Sequence, residues 1–473
     1  METEDELTWA PAWKLRELVA AKQVSPVELT RHFLARIEDL EPTLHAFITV
    51  AADDAIEQAR RAEDAAVRGE ELGPLHGVPI AIKDQFWTRG IRTTGGSLVF
   101  DDYVPQEDSV HAERVRRAGA VIVGKTNTPE FGMFGRTVNR ITEETRNPWD
   151  TSRTSGGSSG GSASAVAAGM VPLAIGSDGG GSLRLPAAYC GVFGLHPSDG
   201  RVPRHGSFGG ALFTSGVGPV SRNVRDGATL FQVLAGPDDR DPTCMPDTPP
   251  DYQGQLGDGV GGMRIAWTSD YGYGDFASGD PEFLDTARAA ALCFGELGAK
   301  VEEITLGLRD ADTAWRLVSG ADRYASLGER LHGDPATRAQ LTPYVEAMFS
   351  ASRAITGAEY SRAMRMRYES IARMRRLFEE YDLIVTPTTL LPPSEVTPKP
   401  AALTQPQAHG YTRYTRLINF TGLTAASVPC GFVRGLPVGL HVIGKPNGEA
   451  GVLRACRALE EIAPWTDRHP ALP

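Results

Sequence analysis

The chain has little of what would tie it to a membrane, a disulfide framework or a polyanion. Its five cysteines, Cys190, Cys244, Cys293, Cys430 and Cys456, are odd in number, far apart and without C-x-x-C spacing. That excludes a disulfide-stapled fold and a cysteine zinc site. No stretch approaches the ~20 apolar residues that a membrane span needs, and the opening METEDELTWA has no apolar targeting core. Basic charge is also scarce, since a net charge of −11 and a pI near 5.5 leave no footprint for nucleic acid or anionic lipid. The expectation is a cytoplasmic protein with a small-molecule partner, no nucleic acid, no membrane and no metal; a homodimer is left open. What the chain has is length, and 473 residues at 41% hydrophobic and 23% charged can bury a large core.

Helices announce themselves through their ends. Ser25-Pro26-Val27-Glu28 offers an N-cap serine, proline at the first helical position and a glutamate completing a capping box, so a helix runs from Ser25 to about Leu40. A second spans Asp53 to Arg68 and stops at Gly69. Beyond residue 70 short apolar runs alternate with helical patterns. VPIAIKD, AVIVGK, VPLAIGSD, MRIAWTS, VEEITL, DLIVTPT and PVGLHVIGK read as strands. SVHAERVRRAG, SASAVAAG, PEFLDTARAAALCFGELG and Glu359 to Glu380 read as helices. This is an α/β fold, a mixed β-sheet core covered by helices on both faces. One domain over 1–473 is expected, with an N-terminal helical segment 1–70, a core from about 77 to 236 and a helical segment from about 307 to 380.

Three stretches carry chemistry. GAVIVGKT, residues 119 to 126, satisfies the phosphate-loop pattern, yet Ala120 to Val123 suit a buried strand whose amides face neighbouring strands. SGGSSGGSAS, residues 155 to 164, has the composition of a flexible linker but runs straight into a helix start, where amides can hold a polar group. It also contains Gly-x-Ser-x-Gly around Ser158, but the preceding NPWDTSRTS reads as turn rather than the strand that a nucleophile elbow requires. GSDGGGSLRLP follows an apolar run, and Gly179, Gly180 and Gly181 leave the backbone beside Ser182 open to a substrate. Their amides are aimed to stabilise an oxyanion. The base can be a lysine: Lys83 closes the strand GVPIAIKD and reads either as an ion pair with Asp84 or, desolvated and neutral, as a proton acceptor.

Lys83, Ser158 and Ser182, in this order and spacing, resemble the catalytic triad of the amidase signature family. GGSSGGSASAVAAG and GSDGGGSLRLPAAYCGVFGLHPSDGRV follow that family's signature, YDLIVTPT and ASVPCGF…LPVGLHVIGK resemble its C-terminal part, and GAVIVGKTNTPEF occurs there without nucleotide. The resemblance implies the amidase signature fold and a hydrolase of amide bonds that needs no cofactor. Ser182 would be the acyl-enzyme nucleophile, Ser158, after a cis peptide bond, the proton carrier and Lys83 the base. Asp178 and Arg184 would brace the nucleophile loop, and Met133 would line the substrate site. Thr412 stands where the glutamine-cleaving component of tRNA-dependent amidotransferases has an aspartate, so the chain is read as resembling free-standing bacterial aryl acylamidases, urethanases and nylon-oligomer hydrolases rather than that component. Neutral aryl or alkyl amides, esters or carbamates are the expected substrates, met by the stretch from Trp315 to Phe349 and the proline-rich loop from Thr386 to Pro406. An ammonia-releasing amidotransferase component is the alternative, and a phosphate-loop protein the next. Gly179, where many relatives have a larger aliphatic residue, and His196, where many have lysine, depart from the family pattern.

Overall fold

In the computed structural model, residues 4–271, 273, 279–308, 311–404 and 412–472 are described. Among them thirteen strands are found: β1 (Phe47–Val50), β2 (Pro79–Lys83), β3 (Val121–Thr126), β4 (Arg146–Asn147), β5 (Asp150–Thr154), β6 (Leu173–Asp178), β7 (Phe193–His196), β8 (Gly216–Ser221), β9 (Arg264–Trp267), β10 (Lys300–Glu303), β11 (Leu383–Pro387), β12 (Ala425–Val433) and β13 (Leu436–Gly444). Eleven form one sheet in the order β1-β3-β2-β6-β8-β7-β12-β13-β11-β9-β10, and β4 and β5 form a separate ribbon. β3, β2 and β6 run parallel, as do β11, β9 and β10, while the middle of the sheet is antiparallel. The sheet is mixed and helices cover both faces, so the expected α/β architecture holds.

The period of two along each strand sorts the core. Ile80 and Ile82 join one apolar cluster with Leu173 and Ile175, whereas Ala81 and Ala174 join another with Ala163 and Val166. The second cluster is filled by the helices Gly160–Ala167 and Pro26–Leu44, through Ala165, Ile37 and Leu40. Parity therefore puts Lys83, two residues after Ala81, on the face that holds helix Gly160–Ala167.

The first helix is capped as expected: the Ser25 hydroxyl accepts from the Val27 and Glu28 amides, Glu28 returns the bond, and the helix runs on to Leu44. The next is Ala52–Arg68, ended by Gly69 in the left-handed region. Four strands of the large sheet, β1, β7, β8 and β12, were not expected as strands. Nor were β4 and β5, which fall at and within the stretch read as turn before Ser158. β5 belongs to the ribbon and not to the main sheet, so the elbow arrangement still does not form. Among the described residues no helix is long and apolar enough to cross a membrane.

GAVIVGKT is β3, between β1 and β2, with its amides in the ladder. Lys125 is buried, donating to the Phe86 carbonyl, to Thr88 Oγ1 at 2.7 Å and to Thr93 Oγ1 at 3.2 Å. Thr126 Oγ1 bonds to Ser162 Oγ at 2.7 Å. Neither side chain is available to a nucleotide.

Candidate active site

β2 ends at Lys83 and β6 at Asp178, and the two strands are neighbours in the sheet. The loops carrying Ser158 and Ser182 precede helices Gly160–Ala167 and Arg184–Cys190, and the Ser159 amide donates to the Ser182 carbonyl at 3.1 Å. The Gly157–Ser158 peptide bond is cis.

Lys83 is fully buried and its Nζ lies 2.6 Å from Ser158 Oγ, 3.0 Å from Ser159 Oγ and 2.9 Å from Ser177 Oγ. The Ser159 hydroxyl donates to the Ser177 carbonyl at 3.0 Å and the Ser177 hydroxyl to Gln85 Oε1 at 2.8 Å. Both of those oxygens must therefore accept from Lys83. A neutral amine has two N–H bonds and one lone pair, so with both N–H bonds taken the lone pair is left to the Ser158 hydroxyl. Burial holds the Lys83 ammonium well below its usual range; Asp178 opposes this and Arg323 adds to it. Asp84 is not the partner of Lys83: its Oδ2 accepts from the Thr94 amide at 3.0 Å and the Thr94 hydroxyl at 2.5 Å.

The Ser182 loop is held from beneath. Burial alone would raise the Asp178 carboxyl, but the Arg184 guanidinium, with the Asn419 amide, holds it far below the usual carboxylate range. Arg184 Nε donates to Asp178 Oδ2 at 2.9 Å and Nη2 to Oδ1 at 3.0 Å. Asp178 also takes the Gly181 amide at 2.6 Å and the Leu183 amide at 3.1 Å. Gly181, at φ 123°, sits where glycine is favoured. The loop carbonyls are tied outward: Gly179 accepts from Trp315 Nε1 at 3.0 Å and Gly180 from Thr415 Oγ1 at 2.7 Å. The amides of Gly179, Gly180 and Ser182 have no partner among the described residues, whereas that of Gly181 is committed to Asp178. Three donors in this loop thus remain unpaired. His196, pushed down to about 3 by burial, stands neutral 4.0 Å from Asp178.

Two cavities meet at these serines. One, of about 490 Å³, is lined by Ser182, Met133, Trp315, Met348, Ile355 and Thr412 among others. The second, of about 570 Å³, is lined by Ser158, Ser177, Trp87, Phe100, Tyr103 and Phe208 among others. Gly132, Gly179 and Arg323 line both. A Cβ at Gly179 would lie 2.8 Å from Arg323 Nη2, so the space that a larger residue would occupy there is taken by the guanidinium. The stretch from Trp315 to Phe349 reaches the site. The proline-rich loop does not in its described part, 386–404: the Ser394 carbonyl accepts from the Thr154 amide and the Val396 amide donates to Ser152, so this segment covers the ribbon. Residues 405 and 406 lie outside the described residues.

Sequence reasoning missed Ser159, Ser177, Gln85 and Arg323. Ser159 and Ser177 were signalled by adjacency, one next to Ser158 and one next to Asp178; nothing local marked Arg323. Among the described residues no group of three or more His, Cys, Asp or Glu side chains could hold a metal ion.

Residues 28–453 match the amidase family. The A-type subunit of the Moorella thermoacetica glutamyl-tRNA(Gln) amidotransferase is 38% identical over 99% of both chains. A bacterial aryl acylamidase of the amidase signature family superposes with a TM-score of 0.90 at 32% identity, over 98% of this chain and 99% of that one. The corresponding A-type subunit from Thermotoga maritima superposes with a TM-score of 0.79 at 31% identity, over 95% and 94%. The expectation of a likeness to free-standing amidases rather than to the glutamine-cleaving amidotransferase component, which is this A-type subunit, is therefore overturned. Identity to it runs the full length, and one side chain, Thr412, cannot outweigh that. The exclusion of nucleic acid falls with it as a family property, since the relatives' name carries a tRNA. The chain belongs to the amidase family, whose members act on C–N bonds.

Proposed function

We propose that the chain cleaves amides through an acyl-enzyme on Ser182, with Ser158 and Lys83 moving the proton. The observation that carries this is the allocation of hydrogen bonds around Lys83, which leaves its lone pair to the Ser158 hydroxyl. Ser182 Oγ bonds to the carbonyl carbon as its proton passes to Ser158 and the Ser158 proton passes to Lys83 Nζ. The carbonyl oxygen becomes an oxyanion held by the Gly179, Gly180 and Ser182 amides. As the carbonyl re-forms the C–N bond breaks, and the nitrogen takes a proton back from Ser158, which Lys83 resupplies. Water then repeats the sequence on the ester and frees the acid.

The full-length likeness to the A-type amidotransferase subunits supports glutamine as the first amide to test, its carboxamide releasing ammonia for a tRNA-bound acceptor. In that reading the chain works within a larger enzyme, with tRNA among its partners. A second substrate class is favoured by the cavity on the Ser158 side. Ammonia needs no such space, whereas a secondary aryl or alkyl amide, or the matching ester or carbamate, would fill it with its leaving half. Steady-state rates of the purified chain on glutamine, acetanilide and an aryl carbamate separate these classes. Mass spectrometry after fluorophosphonate treatment tests the nucleophile; an adduct on Ser158 would reverse the two serines.

A further inference from the structure

The cavity into which the amine half must leave is cationic and aromatic in a protein of net charge −11. The nitrogen of a cleaved amide has to meet its proton donor, and Ser158 lines this second cavity while Ser182 lines the first. Trp87, Phe100, Tyr103 and Phe208 give it flat apolar walls, and the Phe100 and Phe208 ring centroids are 4.7 Å apart. Its charged lining residues are Arg204, Arg323 and Arg330; no carboxylate lines it among the described residues.

The three arginines are not equivalent. Arg204 is occupied, donating to the Ser215 carbonyl at 3.3 Å and Thr243 Oγ1 at 2.5 Å and facing Asp199 and Asp241. Arg330 is exposed at the mouth, its guanidinium 5.8 Å from the Phe100 ring centre, with no hydrogen bond or ion pair among the described residues. Arg323, between the two cavities, also makes none, and its Nε is sealed from solvent without a partner. Its neighbour Asp322 is near enough to act on it electrostatically but spends its oxygens elsewhere, accepting from the Leu212 amide at 2.9 Å and the Tyr360 hydroxyl at 3.1 Å. A guanidinium with its Nε sealed and its remaining donors turned to two cavities is completed by an anion that enters them. Burial already pulls Arg323 down to about 10. The helix bearing it, Asp312–Arg323, passes at that residue into a π-helical turn, Tyr324–Gly328, a distortion frequent at functional sites.

We propose that the Ser158-side cavity binds the amine half of a secondary amide whose aromatic ring carries a carboxylate, with Arg323 holding the carboxylate and Arg330 drawing it in at the mouth. This rests on the secondary-amide reading and adds the charge of the leaving group to it. Planar guanidinium donors match a carboxylate in a fork, and the aromatic walls match the ring. The purified chain is assayed on acetanilide and on 2-, 3- and 4-acetamidobenzoate, and calorimetry compares aniline with the three aminobenzoates. At least one carboxylated isomer is expected to exceed acetanilide tenfold or more in kcat/KM, through KM, and its aminobenzoate to bind at least tenfold tighter than aniline. Arg323→Gln should collapse both ratios to about one and Arg330→Gln should lower them in part, with folding checked by circular dichroism. If no aminobenzoate binds more tightly than aniline, or if the ratios survive Arg323→Gln, the proposal is overturned. Tight, Arg323-dependent aminobenzoate binding without cleavage of any anilide would uphold the recognition and remove the secondary-amide reading beneath it.

Discussion

Lys83 works as a base only without its proton, and its surroundings set the direction of the pH dependence. Burial lowers the pKa of the ammonium from 10.5, so activity should rise with pH through that depressed value and hold on the alkaline side. A kcat/KM profile measured on one amide checks this, and a maximum near pH 5 would rule the base out. Lys83→Ala and Ser158→Ala should each lower kcat by about 10²–10⁴. Asp178 and Arg184 are both fully buried, and removing one leaves the other uncompensated. Asp178→Ala and Arg184→Ala should each cost about 3–5 kcal/mol by urea titration, and the double variant less than their sum. Because the native Asp178 carboxyl is depressed, its stabilisation is present at neutral pH and is lost as pH falls through the native value. The trio proposed to react could be named because its order and loops resemble a family. Ser159 and Ser177 were marked only by adjacency to Ser158 and Asp178, since a serine is unremarkable until a fold aims it at an amine.

Elements with strong terminal chemistry were readable, and elements made by neighbours were not. The Ser25 capping box is local, so it fixed the start of Pro26–Leu44 in the sequence itself. Ser25→Ala should cost about 1 kcal/mol in urea unfolding while leaving kcat/KM unchanged, because among the described residues the Ser25 hydroxyl bonds only to Glu63 and to the first amides of its own helix; a changed kcat/KM would contradict that separation. β8 is the opposite case. Its GVGPVS has two glycines and a proline, which argue for a loop, yet it lies mid-sheet between β6 and β7. Tertiary contact makes the glycine necessary: a Cβ at Gly218 would lie 2.0 Å from the Leu195 carbonyl oxygen. β12 likewise carries Pro429 where its pairing with β13 shifts register. No window on the sequence contains the strand that such a residue must accommodate.

At the scale of the whole molecule the chemistry and the substrate walls come from parts of different depth. Lys83, Ser177 and Asp178 end adjacent strands inside an 11-stranded sheet, and the two serine loops lead into helices whose residues are buried against it. The outer wall of the Ser182-side cavity comes instead from helices Asp312–Arg323 and Pro343–Ser352, which lie outside the sheet and bury only part of their length. Local stability follows buried apolar contact, so such peripheral segments open at lower free energy than the sheet. Labelling of Ser182 by a small fluorophosphonate should therefore persist through rising urea until far-ultraviolet circular dichroism is lost, since the triad has no way to dissolve separately. Cleavage of a bulky anilide should weaken at lower urea, with KM rising first as the helices that frame the substrate loosen. Measured on one preparation, the two losses should be separated along the urea axis. Superimposed losses would mean that the substrate walls are as deeply anchored as the sheet, and that the layered account of the site is wrong.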